Sequence, residues 1–226
     1  IDITKDRIFV PVTKNKSEII GIYSPVGNVG KTAVAWAMAQ TLGADYTVLY
    51  INMQEYSGMD KMFDTDFGAN LSDLMYFYKQ SPESMAVKLK AVTYSAEGFD
   101  YIPPLVYSCD LRNIDTGQWF QFIQNIAELT EYDKIIIEFG QVLNNPMILL
   151  ESCNRIFVPV SNDWMNQCKK KEWEEYLLRT GYEEILDRTE MLQVPQIRQW
   201  SSLDEYRECY LWGEPGDYIR QILGGL

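Results

Sequence analysis

Apolar residues along this chain follow two rhythms. Short, nearly unbroken apolar runs at 19–23, 46–51, 132–138 and 155–160 have the length of strands, and the run at 46–51 is of the kind buried on both faces of a parallel sheet. Between them the apolar positions recur at helical spacing. Residues 32–42 are alanine-rich and stop at Gly43, with Trp36 and Met38 as packing residues. From 59 to 91 the pattern is mostly helical, with Leu71, Leu74, Met75 and Tyr78 on one face, and Ser81-Pro82-Glu83 opens a further helix. Residues 116–130 predict a helix with Phe120, Ile123, Ala127 and Leu129 inward. A helix is also predicted at 144–152, and a long amphipathic one at 163–180, opened by the capping residues Ser161, Asn162 and Asp163.

The remaining segments complete the alternation. Residues 98–104 read as a strand ending at a loop, 105–113 as a flexible connection over the site, and 189–195 as a last strand. Two short helices at 202–209 and 217–223 close the chain around Gly213-Glu214-Pro215-Gly216. Residues 1–16 read as a lead-in or linker with strand character at 8–12; with no initiating methionine before Ile1, they suggest that a domain lies upstream. Residues 17–226 then form a single α/β domain: a doubly wound, mainly parallel sheet flanked by helices, with its ligand at the carboxyl ends of the strands.

Composition narrows the chemistry. The chain has no histidine, which removes Ser-His and Cys-His nucleophile pairs and the commonest zinc ligand. A formal charge of −12 opposes broad binding to nucleic acid or to an anionic membrane surface. No apolar run approaches the roughly 20 residues of a spanning helix, so a cytoplasmic protein without membrane insertion is expected. Cys109, Cys153, Cys168 and Cys209 lack paired spacing and read as reduced, buried or half-buried thiols. Lys169-Lys170-Lys171 reads either as a solvated helix face or as a contact for an acidic partner. The methionine- and aromatic-rich stretch at 59–78 reads either as core or as a partner-facing surface.

One stretch carries specific chemistry. A strand at 19–23, a glycine-containing loop and a helix starting near Thr32 form the strand, loop and helix of a phosphate-binding unit, in which main-chain N–H groups and the helix dipole face an anion. The binding residues are Gly27, Asn28, Val29, Gly30, Lys31, Thr32 and Ala33. Gly27 and Gly30 let the backbone approach closely, Lys31 reaches the outer phosphates, and the Thr32 hydroxyl takes a place on Mg²⁺. Glu138, at the carboxyl end of a central strand, either accepts from a metal-bound water or accepts only from Thr32.

The run Gly27-Asn28-Val29-Gly30-Lys31-Thr32 is similar to the deviant phosphate loop of the MinD/ParA ATPases, K-G-G-x-G-K-[ST]. Pro25 stands where the general phosphate-loop pattern has its first glycine. Against the deviant pattern, Asn28, which tolerates left-handed backbone, stands at the second glycine, and Val26 stands at the signature lysine that contacts the partner subunit's nucleotide. The resemblance implies that Asn52 matches an aspartate that positions the attacking water or the metal shell; an amide can orient a water but cannot act as a carboxylate base. It also places base contacts at 193–196, with Gln193 and Pro195 as binding residues. The phrases YSPVGNVGKT, VLYINMQEYSG, YDKIIIEFG and RIFVPVSNDW resemble the CpaE/TadZ branch, which localises pilus-secretion machinery. The resemblance implies a homodimer that binds ATP or ADP with Mg²⁺, hydrolyses weakly or not at all, and serves a protein partner in a secretion or pilus system. Two other readings stand beside it: a slow ATPase that uses Glu138 and Asn52, and an interaction domain in which Pro25 and Asn28 close the loop.

Overall fold

The computed structural model describes residues 17–195 and 200–224. The lead-in at 1–16, its strand at 8–12 and Gln196 of the base-contact segment therefore lie outside the described residues. Seven strands among the described residues form one sheet: β1 (Glu18–Ile22), β2 (Val48–Met53), β3 (Tyr94–Ala96), β4 (Phe99–Ile102), β5 (Lys134–Phe139), β6 (Arg155–Pro159) and β7 (Thr189–Leu192). Their spatial order is β3-β4-β2-β5-β1-β6-β7, and every pairing is parallel except β3 with β4. The helices are α1 (Lys31–Leu42), α2 (Met59–Met62), α3 (Leu71–Gln80), α4 (Met85–Val92), α5 (Ser108–Asn113), α6 (Thr116–Leu129), α7 (Pro146–Leu150), α8 (Trp164–Thr180), α9 (Glu183–Asp187), α10 (Leu203–Tyr210) and α11 (Glu214–Leu223). This is the doubly wound sheet that the sequence predicts.

Successive side chains of a strand point to opposite faces, and each central strand feeds two cores. Leu49, Ile51 and Met53 of β2 join Ile135, Ile137 and Phe139 of β5 in a core closed by α3, α4, α6 and α7. Val48 and Tyr50 join Ile136 in the other, with α1, α10 and α11 over them. Helix α1 is sandwiched between the sheet and the last two helices, which is why its apolar residues run all round it rather than in one stripe. The buried Tyr206 hydroxyl of α10 donates to the Ala33 carbonyl at 3.2 Å and fixes the first turn of α1 from behind.

Several local expectations are corrected. Residues 105–113 are not simply a connection, because they hold α5, whose Leu111 is fully buried and accepts at its carbonyl from Trp119 Nε1 at 3.4 Å. In α6 the buried face is Trp119, Phe122, Ile123, Ile126 and Ala127; Phe120 is only half-buried and Leu129 is exposed. The spacing of Trp119, Phe122, Ile123 and Ile126 sets that face, and the helix starts where Asp115 accepts from Gly117 and Gln118 N–H. Helix α8 is capped by Asp163 but buries only Trp173 and Leu177, leaving Trp164, Met165, Tyr176 and Leu178 exposed, so its amphipathic reading fails. Lys170 pairs with Glu174 at 2.8 Å one turn on, as on a solvated face. At 59–78 the core reading holds for Met59, Leu71, Leu74 and Met75, which are buried, and Phe63 stacks on Trp36 at 5.1 Å. Gly98 starts no strand: with φ of 90° it turns the unforeseen β3–β4 hairpin. The four cysteines are free thiols; Cys153 is buried and Cys209 half-buried, but Cys109 and Cys168 are exposed, and burial pushes the Cys153 thiol up to about 12. No described helix is long and apolar enough to cross a membrane.

The hairpin turn is pressed against the end of α1, where a Cβ on Gly43 would lie 1.7 Å from the Gly98 carbonyl oxygen. Gly43→Ala is therefore expected to cost about 1–3 kcal/mol, the usual range for overpacking. Thermal unfolding checks this: a Tm drop of several degrees is expected, and an unchanged Tm would show that the hairpin yields freely.

Candidate functional site

The loop after β1 is rooted in β6. Tyr23 N–H donates to the Phe157 carbonyl at 3.1 Å, and the buried Ser24 hydroxyl donates to the Pro159 carbonyl at 2.8 Å while accepting from Val26 N–H. Val26 and Val29 turn inward and are buried, whereas Gly27 and Asn28 are exposed between them. Asn28 has φ of 56° and Gly30 φ of 76°. These two left-handed residues curl the chain into a concave run of N–H groups that opens directly into α1. No side chain caps that helix end. Among the described residues, no main-chain N–H from 27 to 33 donates to a protein acceptor. A Cβ on Gly27 would meet nothing within 4 Å, so the space beside the loop is open.

That space is a cavity of about 490 Å³, lined by the loop residues 27–33 with Gln54, Tyr56, Gly140 and Trp200 among the rest of its wall. Lys31 is half-buried in it and has no hydrogen-bond partner among the described residues. Burial holds its ammonium below the usual lysine range, and the Glu138 charge pulls it partly back. A second cavity of about 390 Å³ shares Asn28 and Val29 and is walled by Ser161, Asn162, Gln193 and Pro195. Gln193 and Pro195 are thus placed beside the loop. Val26, at the signature-lysine position, sends an apolar side chain into the protein and leaves no cation there.

Under the loop lies a buried carboxylate. The parallel register of β2 and β5 sets Asn52 beside Glu138, and Tyr50 lies two residues back on the same face. Glu138 is fully buried and has four donors. Oε1 accepts from the Thr32 hydroxyl at 2.8 Å and from Gln54 Nε2; Oε2 accepts from the Tyr50 hydroxyl at 2.6 Å and from Asn52 Nδ2 at 3.1 Å. Burial raises the Glu138 carboxyl above its ordinary value, against the pull of these donors and of Lys31. Burial likewise holds the Tyr50 hydroxyl well above its own, helped by the Glu138 charge. Asn52 is spent at both ends, its Oδ1 accepting from Gln54 N–H at 2.8 Å and its Nδ2 donating also to Tyr50.

Of the two readings of Glu138, the structure gives the bond from Thr32. Neither Glu138 nor Asn52 lines the cavity. Thr32 gives its one proton to Glu138 and accepts from Gln54 Nε2 at 3.1 Å, which leaves its oxygen one lone pair. Thr32 thus keeps a lone pair that could face a cation, but Glu138 has none left for a metal-bound water, so the pair does not fit a hydrated Mg²⁺ as it is arranged, while the loop does fit a polyphosphate. Among the described residues, no group of three or more acidic or thiol side chains is placed to hold a metal. Gln54 and Trp200 escaped the sequence reading. The signal for Gln54 was the strand period, since it falls two positions after Asn52 at the exit of β2.

No family model matches the sequence, and no curated protein matches it. Solved structures do match its shape. A plasmid partition protein of Borrelia burgdorferi bound to AMPPNP has 14% identity, with 94% of this chain and 100% of that one covered and a TM-score of 0.66. A ParA family ATPase of Chlorobium tepidum has 16% identity, 93% and 94% coverage and a TM-score of 0.67. The MinC:MinD cell division complex of Aquifex aeolicus has 14% identity, 92% and 96% coverage and a TM-score of 0.65. Taken with the sheet order and the loop, these likenesses establish that the chain has the fold of ParA- and MinD-type ATPases.

Proposed function

We propose that this chain binds ATP or ADP in the loop at 27–33 and acts in the cytoplasm as a nucleotide-dependent, dimerising scaffold with weak or absent hydrolysis. The observation that carries the reading is the unspent run of N–H groups in a loop that is open to a cavity. An anion there meets several oriented dipoles, the positive end of α1 and the Lys31 ammonium together. A loop closed on itself, as a pure interaction domain requires, would have used those N–H groups internally. Gln193 and Pro195 in the adjoining cavity suit the nucleotide base.

Weak hydrolysis follows from the acid–base inventory. Of the carboxylates near the loop, Glu138 is saturated with donors, and Glu55, the one that lines the cavity, faces Arg112 at 3.5 Å. An ATPase working through Asn52 and Glu138 would first have to break their bonds to Tyr50, Thr32 and Gln54. The scaffold role is supported by the fold shared with a plasmid partition protein and with MinD bound to MinC. A place in a pilus or secretion assembly is supported by the four phrases resembling the CpaE/TadZ branch.

ATP or ADP at about 100 times Kd should add about 2.7 kcal/mol of stability, a rise of several degrees in Tm. Lys31→Ala should abolish that rise and leave the ligand-free Tm nearly unchanged, because the ammonium has no hydrogen-bond partner among the described residues and feels Glu138 only through space. No shift in the native chain with either nucleotide would refute the proposal. A second expectation concerns Glu138. A carboxyl raised in the folded state binds its proton more tightly there than in the unfolded chain. Its stabilising contribution is complete below the ordinary value of 4.5 and is lost as pH rises through the folded value. Glu138→Gln should therefore gain stability relative to the native chain as pH rises from acid to neutral, read from urea unfolding at each pH. A difference independent of pH would contradict the assigned burial penalty.

A further inference from the structure

A divalent cation beside a nucleotide needs acceptors for its bound waters, and at this site the acceptor nearest the loop hydroxyl is already full. A carboxylate offers about four lone-pair positions. On Glu138 they go to Thr32, Gln54, Tyr50 and Asn52. Three of these donors are integral to the fold: Tyr50 and Asn52 are buried in β2, and Thr32 is in the first turn of α1. Gln54 is the fourth, and of the four only Gln54 and Thr32 also line the cavity.

The Gln54 amide is held with its nitrogen inward. Nε2 donates both to Glu138 Oε1 and to Thr32 Oγ1, the latter at 3.1 Å. The flipped amide would set a carbonyl oxygen against a carboxylate oxygen and a hydroxyl lone pair, which is repulsive, so the NH₂ orientation is dictated by its neighbours. Its main chain is fixed as well, since Gln54 N–H donates to Asn52 Oδ1 at 2.8 Å. A positively polarised NH₂ group consequently sits against the two oxygens that a hydrated cation would use. The loop N–H groups and Lys31 make no hydrogen bond to Gln54 and do not depend on its amide.

We infer that this site takes a nucleoside polyphosphate without a divalent cation, and that Gln54 is the residue that holds the cation out. The inference rests on the nucleotide-binding reading and makes that reading more specific. Gln54 is a specificity-determining residue here: it sets which form of the ligand fits, the free polyanion over its metal complex.

Calorimetric titration of the chain with ADP, once with millimolar Mg²⁺ and once with excess EDTA, tests it. For the native chain Mg²⁺ should weaken apparent binding by about threefold or more, because it draws ADP into the complex that the site does not take, whereas for Gln54→Ala Mg²⁺ should tighten binding by about tenfold or more, a difference of about 1.4 kcal/mol. Gln54→Ser serves as a second truncation, with the ligand-free Tm confirming that each variant folds. Native binding that weakens tenfold in EDTA would overturn the inference and leave the nucleotide reading standing. Native and truncated chains that are equally indifferent to Mg²⁺ would overturn the role of Gln54. Absence of binding in both buffers would sink the nucleotide reading itself, and this inference with it.

Discussion

Two backbone conformations govern this site. Asn28 and Gly30 both adopt left-handed angles, and between them the chain turns so that its N–H groups face outward into a cavity instead of inward onto the protein. The left-handed basin is costly for most side chains and is open to glycine and, at small cost, to asparagine. That is why an asparagine serves at 28 where a branched residue would not. The rest of the loop supports this geometry. Ser24 ties its root to β6, and buried Val26 and Val29 pin it on either side of the exposed turn. Tyr206 then holds the start of α1 from behind.

The second constraint is the carboxylate under that loop. An ionised group with no exposure must have its lone pairs filled, and Glu138 achieves this with a hydroxyl from α1, a hydroxyl and an amide from β2, and Gln54 from the strand exit. Hydrogen bonds to a charged group are worth about 1.5–3 kcal/mol each, so the cluster joins α1, β2 and β5 at their common end. The same saturation leaves Glu138 no lone pair for a further donor. The carboxylate is a structural strut between these elements, and the loop above it keeps its N–H groups and the Lys31 ammonium without hydrogen-bond partners among the described residues.

Much of this was readable in the chain and some was not. Strands β1, β2, β5 and β6 announce themselves because parallel strands covered on both faces are written as unbroken apolar runs. The loop and α1 were legible for a different reason: their residue types have few other uses in that order. The bond from Thr32 to Glu138 was one of two readings open to the sequence. Its completion by Tyr50 and Asn52 depends on the β2–β5 register, which joins residues 86 and 88 positions apart and leaves no local trace. Gln54 was overlooked because it lies just past the strand, where the alternation that would identify it is ending. The buried face of α6 was misjudged because Trp119, Phe122 and Ile126 were left out of its apolar stripe, and that of α8 because apolar residues at helical spacing do not by themselves say which side a sheet will cover. The β3–β4 hairpin hung on one glycine.

The most direct measurement of the central claim is residue-resolved. In a ¹⁵N-labelled chain titrated with ADP, the main-chain amides of residues 27–33 should show the largest shifts, moving downfield as they gain an acceptor, while those of α8 remain still. Loop amides that stay unmoved at millimolar nucleotide, with or without a divalent cation, would contradict the account.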